Sequence, residues 1–292
     1  MKKYLYLLLI CCWTVLYGFS IPKFYHGRIF LDEPRFSEKG LFTADVTFGS
    51  AIKHFQSSGY KGRFKCSELY LQAYQNFSKG IFVHAFLPFA WINLDDIERY
   101  DPAIRPLPQH IQKADLYSPS FFLGWTLNYE NMAHLDYIDL TCEVGAILNS
   151  PSGAIHVPLF PIGYTTQPGF AGAAYIAMGA LEWLTLGAYV QAISYQPATI
   201  WSAGSYVKLD HLVPKISLIL AFCGDGQNKQ IETISPWQMF SIDFSVDLDL
   251  ATDERPWLPR LRAFYTKPIS GFNILKVAMG GFNAGVDVQI FY

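Results

Sequence analysis

The feature of this sequence that most constrains its fold is a strict alternation of apolar and polar side chains. It is clearest between residues 240 and 248, where Phe, Ile, Val and Leu hold the even positions and Ser and Asp hold the odd positions. Consecutive side chains of a β-strand point to opposite faces of the sheet, so this stretch would present one apolar and one polar face. The pattern recurs in residues 42–48, 137–148 and 184–191. We therefore predict an all-β chain.

Composition narrows the class of all-β protein. Only 16% of the residues are charged, against about 25% in an average soluble domain, while 51% are hydrophobic and 16% aromatic. The formal net charge is -2, from 22 Lys+Arg and 24 Asp+Glu, so no excess of cations is available to bind nucleic acid. The low charge and the many aromatic residues exclude a mainly disordered chain. The polar faces consist mostly of Ser, Thr, Gly and Tyr, which would be a poor exterior for a soluble β-sandwich, the competing fold.

These observations predict a transmembrane antiparallel β-barrel of about twelve strands, with a range of 10–14. Each segment is close to the 9–11 residues that cross a bilayer at a tilt near 45°, and bacterial barrels have even strand numbers. The predicted strands lie near residues 41–49, 66–75, 80–90, 119–129, 136–148, 170–180, 183–195, 200–209, 215–223, 237–248, 259–267 and 274–292.

The predicted connections differ in length on the two sides of the membrane. Long external loops are expected near 50–65, 91–118, 149–169 and 224–236, and short periplasmic turns near 76–79, 181–182 and 210–214. Long loops outside and short turns inside are typical of outer-membrane barrels. Two further external connections, near 196–199 and 268–273, are predicted to be short.

Residues 170–194 are apolar enough to suggest a membrane-spanning helix as an alternative. Glu182 would then lie near the middle of the helix, at a cost of about 2.5–3.5 kcal/mol. A tight turn at Glu182-Trp183 between two strands avoids this cost. It also places Trp183 at the level of an interfacial aromatic girdle.

The two ends of the chain carry targeting features. Lys2 and Lys3 precede an apolar run from Tyr4 to Leu16, and small residues follow at Gly18 and Ser20. We interpret residues 1–20 as a cleaved secretory signal peptide and residues 21–292 as the barrel; the alternative is an uncleaved anchor helix. The last strand alternates up to an aromatic final residue, which is typical of the signal that barrels present to the outer-membrane assembly machinery. The predicted signal residues are Val286, Val288, Ile290 and Tyr292.

Two stretches, 69–89 and 146–195, resemble a narrower family. The first stretch contains a hairpin with a short turn from Tyr74 to Gly80, and it ends in Leu87-Pro88-Phe89. The second stretch contains Pro151-Ser152-Gly153. It also contains the turn at Glu182-Trp183, which is followed by Leu184 to Gly187. These features resemble the porin-like Gram-negative outer-membrane family associated with phenol-degradation meta-pathways, which is distantly similar to fatty-acid transporters. The resemblance implies a channel for small hydrophobic or aromatic compounds. Pro88 is expected to end its strand.

If the apolar faces contact lipid, the opposite faces line a lumen. Arg260 and Arg262 are expected to pair with Asp243 and Asp247 on the neighbouring strand. The candidate lumen and selectivity residues are Asp139, Glu143, Asp243, Asp247, Arg260, Arg262, Lys208, Glu68, Tyr70 and Tyr74, with Asp45, Asp287, Tyr189 and Tyr206 as further candidates. They would form either a polar constriction that filters solutes or an internal ladder of ion pairs that holds a narrow barrel shut.

Other chemistry has little support in the sequence. His84 falls on the inward side of its strand, but no Ser is placed beside it, so catalysis is not expected. Three cysteines follow the signal segment, Cys66, Cys142 and Cys223, which allows at most one disulfide. No Cys or His pair has metal-ligand spacing, so neither a metal nor another cofactor is predicted.

The sequence thus predicts an outer-membrane channel for passive passage of small molecules. Its partners would be outer-membrane lipids, the assembly machinery and small solutes, and not nucleic acid. The alternatives are a surface-exposed structural or adhesin barrel with a closed lumen, and a barrel hydrolase.

Overall fold

The computed structural model describes residues 41–57, 60–78, 80–99, 102–103, 109–116, 119–132, 135–148, 168–195, 198–213, 215–229, 236–250, 258–272 and 279–289. Within these ranges no helix has the length and apolarity needed to cross a membrane. The described strands are β1 Leu41–Ser57, β2 Tyr60–Ser78, β3 Ile81–Arg99, β4 Ile111–Leu116, β5 Ser120–Met132, β6 Leu135–Ile147, β7 Gly169–Leu181, β8 Leu184–Tyr195, β9 Ala198–Val213, β10 Ile216–Gln227, β11 Trp237–Asp249, β12 Arg260–Phe272 and β13 Met279–Gln289.

Twelve of these strands pair in one continuous antiparallel ring. Sequence neighbours pair around the whole ring, with β3 passing to β5, and β13 closes it by pairing with β1 from Leu41↔Gln289 to Ser50↔Gly280. A closed ring has no unpaired strand edges, which is what a sheet needs in order to cross lipid. The prediction of an all-β, twelve-stranded barrel is confirmed, and the β-sandwich is excluded because the sheet is single.

The first three strands are longer than predicted. β1 has 17 residues, and β2 and β3 have 19 each, well beyond the 9–11 or so that cross a bilayer. The predicted loop at 50–65 is wrong, since the β1–β2 pairing continues from Ala51↔Cys66 to Ser57↔Tyr60. A hairpin that lies in water can form its backbone hydrogen bonds without an apolar face. Alternation of apolar and polar residues therefore does not reveal such a hairpin in the sequence.

The predicted loop at 91–118 is also corrected. β3 continues to Arg99, and the short strand β4 pairs with its residues Phe89–Leu94. Pro88 therefore does not end its strand. It lies where β3 changes partner, since pairing with β5 stops at Phe86 and pairing with β4 begins at Phe89. A residue without an N–H is tolerated at such a gap in the ladder.

The remaining connections are partly corrected. β10 continues to Gln227 and β11 begins at Trp237, so the connection predicted at 224–236 is shorter. Residues 149–167 of another predicted loop lie outside the described residues, as do the predicted signal peptide and Ile290 and Tyr292. The last strand is described from Met279 to Gln289 rather than over 274–292.

The apolar stretch at 170–194 is a β-hairpin, as predicted, and not a helix. β7 and β8 pair antiparallel from Phe170↔Ser194 to Leu181↔Leu184, with Glu182 and Trp183 in the turn. This turn, Gly80 and Lys215 lie at one end of the barrel, which we call the short-turn end. Gly80 has a φ of 82°, and a Cβ there would lie 2.2 Å from the carbonyl oxygen of Thr126, so only glycine fits.

The barrel wall has an apolar exterior. Exposed large hydrophobic side chains alternate with buried ones along the strands, as Phe121, Leu123 and Trp125 do in β5. Many of the exposed side chains are apolar, including Val144, Phe170, Leu186, Val190, Val207, Leu220, Phe222, Phe240, Phe244, Leu261 and Phe282. Such a surface is unsuited to water and suited to a hydrocarbon environment.

Candidate functional site in the barrel interior

The interior face carries most of the buried polar side chains of the described chain. They come from strands all around the ring, and include Gln72, Asn76, His84, Thr126, Thr141, Glu143, Thr185, Gln191, Ser202, Asp225, Ser241, Asp243, Ser245, Arg262 and Thr266. Buried polar groups need partners because desolvation is costly. The interior is therefore built from side-chain networks, of which four matter for function.

The first network is an ion pair near the short-turn end. Arg262 donates from Nε and a terminal nitrogen to both carboxylate oxygens of Asp247, and the two residues are directly opposite in the β11–β12 register. Their side chains are 8% and 20% exposed. A bidentate guanidinium–carboxylate pair satisfies both charges where water is scarce.

The second network also lies near the short-turn end. Lys208 Nζ lies 3.1 Å from Asp210 Oδ1, and Asp210 also accepts hydrogen bonds from Thr185 and Ser217. Tyr137 and Thr185 hydroxyls are 2.8 Å apart, which extends the network across the interior.

The third network occupies the middle of β8 to β11. Ser202 donates to Asp225 at 2.8 Å, and its hydroxyl lies 3.1 Å from that of Tyr189. The Cys223 thiol donates to Asp243 at 3.2 Å. Asp225 and Asp243 are both buried, at 1% and 7% exposure.

The fourth network is centred on His84 and Glu143, whose side chains are 0% and 1% exposed. Nδ1 of His84 lies 3.3 Å from Glu143 Oε2, and the Tyr175 hydroxyl donates to Oε1 at 2.8 Å. The His84 ring is stacked between Tyr74, at 4.2 Å, and Phe122, at 5.2 Å between ring centroids. We call these five side chains the histidine–glutamate cluster.

An apolar belt adjoins this cluster on the side away from the short-turn end. It consists of buried side chains from β3 and from β5 to β9, namely Phe86, Phe122, Ile147, Ala171, Ile193, Ala198 and Ile200. Phe122 belongs to both the belt and the cluster, and Tyr175 packs against the belt while it donates to Glu143. The cluster and the belt are therefore in direct contact.

Aromatic rings on the interior lie flat against glycines of neighbouring strands. A Cβ at Gly124 would lie 2.0 Å from the Phe82 ring, and one at Gly187 would lie 2.1 Å from the Tyr206 ring. Similar pairs join Phe122 with Gly145, Tyr189 with Gly204 and Phe264 with Gly281. Without these glycines the rings would have to project further into the interior, so the glycines set how wide it is.

Several predicted lumen residues are thus placed on the interior face. Asp139 accepts a hydrogen bond from Asn128 at 2.7 Å, and Tyr74 donates to Gln72 at 3.1 Å. For three others only backbone pairing is described: Glu68 with Gly49 and Ala90, Tyr70 with Thr47 and Pro88, and Arg260 with Asp249 and Gly285. Of the predicted assembly signal, Val286 and Val288 pair with Ala44 and Phe42.

The sequence interpretation missed several residues of these networks, among them Asp225, Asp210 and Tyr175. Asp225 and Asp210 had been placed in connections, although alternation from Ile219 through Cys223 continues to Asp225. Tyr175 lay in an apolar run without a polar neighbour to mark it. The link between His84 and Glu143 crosses an intervening strand, β5, and no sequence pattern indicates it.

Cys142 and Cys223 are free thiols, so they are not joined in a disulfide. In the described part of the chain no group of three or more His, Cys, Asp or Glu side chains is arranged to hold a metal ion.

The fold and this interior define a transmembrane β-barrel of twelve strands with a packed, partly polar interior. The fold is similar to that of the COG4313 outer membrane channel from Pseudomonas putida F1, with a TM-score of 0.62 and 9% identity over 88% of this chain and 99% of that chain. No protein-family model and no curated protein matches the sequence.

Two other solved barrels align with lower scores. The translocator domain of the autotransporter NalP from Neisseria meningitidis has a TM-score of 0.46 and 12% identity over 90% of this chain and 91% of that chain. Pseudomonas aeruginosa OpdK, solved with vanillate, has a TM-score of 0.40 and 6% identity over 85% and 97%.

Proposed function

We propose that this chain is an outer-membrane channel for passive passage of small molecules. The observation that carries the proposal is the arrangement of the wall, with an apolar exterior around an interior of hydrogen-bonded polar groups. Polar groups on the inside of a membrane barrel serve either a passage or an internal scaffold. The similarity in fold to a channel of Pseudomonas putida favours the passage.

The proposal includes the location and assembly of the protein. Residues 1–20 would direct export and be removed, and the barrel would lie among outer-membrane lipids. Val286, Val288, Ile290 and Tyr292 would form the signal that the assembly machinery binds, since an alternating segment can be paired by β-augmentation. We propose no catalytic activity, because the hydrogen bond described for His84 joins it to Glu143 and not to a hydroxyl or a thiol.

We further propose that the solutes are small and hydrophobic or aromatic. The belt and the stacked rings of Tyr74 and Phe122 give one half of the interior an apolar lining. The tyrosine side chains of the cluster add hydroxyl groups to this lining. Ion-pair charges on the opposite half, such as Asp247 with Arg262, favour a solute that also carries a polar group.

A closed structural barrel is the second candidate, because the interior side chains are buried rather than lining open space. His84, Ser120, Asn76 and Asp225 are all at most 1% exposed. In this case the networks would be internal supports, and any function would reside in the protruding β1–β3 region.

Reconstitution in a planar bilayer separates the two candidates. A channel gives discrete conductance steps, whereas a closed barrel leaves the membrane sealed under voltage. Asp243→Asn should lower the preference for cations roughly twofold if this carboxylate faces the passage. Asp136→Asn, an exposed position near the short-turn end of β6, is the matched control. Asp243 is preferred to Asp247 because Asp247 accepts two hydrogen bonds from Arg262, which its replacement would weaken.

Solute class is tested by swelling of liposomes that contain the protein. Small neutral aromatic alcohols should enter faster than sugars of similar size. Equal rates for both classes, in a protein that conducts ions, would contradict the proposed solute class and leave the channel function in place.

A further inference from the structure

The outward face of β2 and β3 changes from apolar to polar where these strands leave the barrel wall. Along β3 the last apolar members of this face are Leu87, Phe89 and Trp91, and the Trp91 side chain is exposed. The next outward position is Asn93, which pairs with Lys65 of β2. Side chains directly opposite in an antiparallel pair share a face, so Lys65 also follows the apolar face. The hydrocarbon boundary therefore lies near Trp91, since an indole ring is typical of that level.

The opposite face changes in the reverse direction. Leu94 and Ile97 of β3 lie beyond the polar interior of the barrel, and both side chains are buried. We call residues 51–57, 60–66 and 92–99, together with β4, the sheet extension. It buries an apolar face and exposes a polar face on the side that continues the lipid-facing wall. This polar face therefore meets the surface of the membrane.

Most charged side chains of the polar face are paired with one another. Lys61 Nζ lies 2.6 Å from Glu98 Oε2, and Arg63 lies 3.4 Å from the carboxylate of Asp95. His110 contacts the same carboxylate. These pairs lie toward the tip of the sheet extension, and because opposite charges are joined there they add little net charge to it.

Lys65 differs from these residues because it is exposed and no ion pair or hydrogen bond of its side chain occurs in the described part of the chain. Its row across the sheet continues through Asn93 to Gln112 of β4, and the row nearer the barrel contains Trp91. Neither row contains an acidic residue, and the exposed Asp96 lies further toward the tip. Lys65 is therefore a positive charge without a partner beside the hydrocarbon boundary.

The distance of Lys65 from the boundary places it among lipid headgroups. Its row lies two residues beyond that of Trp91, which is about 7 Å along the strands. The headgroup layer on each side of the hydrocarbon is about 5–7 Å thick. An anionic headgroup attracts a basic side chain at this depth.

The width of the row matches a phosphorylated sugar. Lys65 and Gln112 are two strands apart, which is about 10 Å, and Gln112 is exposed like Lys65. An ammonium group binds phosphate, and a carboxamide can donate to and accept from sugar hydroxyl groups. We propose that Lys65 and Gln112 bind the phosphorylated sugar headgroup of a glycolipid in the outer leaflet of the membrane.

This inference rests on the proposed location in the outer membrane, with the short-turn end toward the periplasm, and not on conduction. The full chain in detergent micelles is titrated with lipid A, a disaccharide lipid with two phosphates, and with the same lipid after removal of its phosphates. Native mass spectrometry measures the bound fraction. The phosphorylated lipid should bind about fivefold or more tightly, the effect of one basic residue at an anionic lipid surface.

The variants separate the charge from the amide. Lys65→Gln should weaken binding of the phosphorylated lipid about fivefold and leave binding of the dephosphorylated lipid unchanged. Lys65→Arg keeps the charge and should bind both lipids as the parent protein does. Gln112→Ala should weaken binding of both lipids about threefold, since it removes contacts to the sugar.

Lys229→Gln is the matched control, because Lys229 is an exposed lysine that follows β10, on another part of the ring. It should bind both lipids as the parent protein does. Heat-modifiable migration in detergent gels establishes that the barrel of each variant has formed. Lys65, Gln112 and Lys229 are all exposed, so their replacement leaves the packed interior intact.

The outcomes are distinct. Equal affinity for the two forms of lipid A overturns the inference, and so does an unchanged affinity in Lys65→Gln. An equal loss in Lys229→Gln would show that only the overall charge matters and would also overturn it. Binding of phosphatidylglycerol as tight as that of lipid A would exclude the sugar as the recognised group. A protein that binds lipid A as expected but leaves a planar bilayer sealed overturns the channel function alone.

Discussion

Two acids of the interior face, on opposite walls of the barrel, are stabilised in different ways. Asp247 faces Arg262 across one register position and receives two charge-assisted hydrogen bonds. Glu143 is more deeply buried but receives one hydrogen bond from a phenol and one contact from a histidine on a strand that is not its neighbour. The first site holds a fixed charge. The second depends on contacts between strands that are not neighbours in the sheet.

The surroundings of the two acids differ accordingly. The β3–β9 wall around Glu143 is packed with aromatic and aliphatic side chains, whereas the β10–β12 wall carries Ser241, Asp243 and Ser245 in succession. Apolar side chains that pack around Glu143 fix its position through their shapes. Charge-assisted hydrogen bonds from Arg262 fix the position of Asp247. Three substitutions test this contrast.

Removal of the cation should have the largest effect. Arg262→Met leaves the half-buried carboxylate of Asp247 without its charged partner and should lower the free energy of unfolding by about 3 kcal/mol. Urea unfolding of the refolded barrel in detergent measures it. The double variant Arg262→Met with Asp247→Leu should recover most of the loss. A single variant as stable as the parent protein would show that the pair contributes nothing.

A change of shape beside Glu143 should have a smaller effect. Gly124→Ala puts a Cβ where the Phe82 ring lies, 2.0 Å away, and overpacking of this kind costs about 1–3 kcal/mol. The same unfolding experiment measures the loss. Adding Phe82→Leu should relieve part of it, because a smaller side chain vacates the space. Gly172→Ala is the control, since a Cβ there would lie 3.8 Å from the carbonyl oxygen of Glu143.

Loss of one hydrogen bond at Glu143 should have the smallest effect. Tyr175→Phe removes the donor to Oε1 and should reduce stability by about 1 kcal/mol. In the Glu143→Gln background the loss should be smaller, because a neutral acceptor forms a weaker bond. A double-mutant cycle measures the coupling. Equal losses in both backgrounds would mean that the carboxylate is not charged when it accepts this bond.

Sequence reasoning located most of the membrane-spanning wall. Twelve strands were predicted and twelve form the ring, because alternation with a period of two is enforced wherever one face contacts lipid and the other does not. The same reasoning failed at residues 51–57 and 60–65 and at β4, where the strands leave this environment and hydrophobicity no longer reports on strand pairing.

The candidate site was predictable only in part. Glu143, Asp243, Asp247, Arg262 and Tyr74 follow from alternation, and the pairing of Arg262 with Asp247 follows from their place on consecutive strands. Asp225 was missed because glycines on both sides of it suggested a loop. The apolar belt was missed because Phe86, Phe122 and Ile193 occupy interior positions that the pattern reserves for polar residues.

The sequence by itself determined the class of fold and the side of the wall on which most residues lie. Both depend on the period of two in the alternation of apolar and polar residues and on local turns such as Glu182-Trp183. Only the tertiary structure decided which interior groups meet. The distance from His84 to Glu143 depends on strand register, on tilt and on the glycines that let Phe82 and Phe122 lie flat. These are properties of the closed ring, and no single segment encodes them.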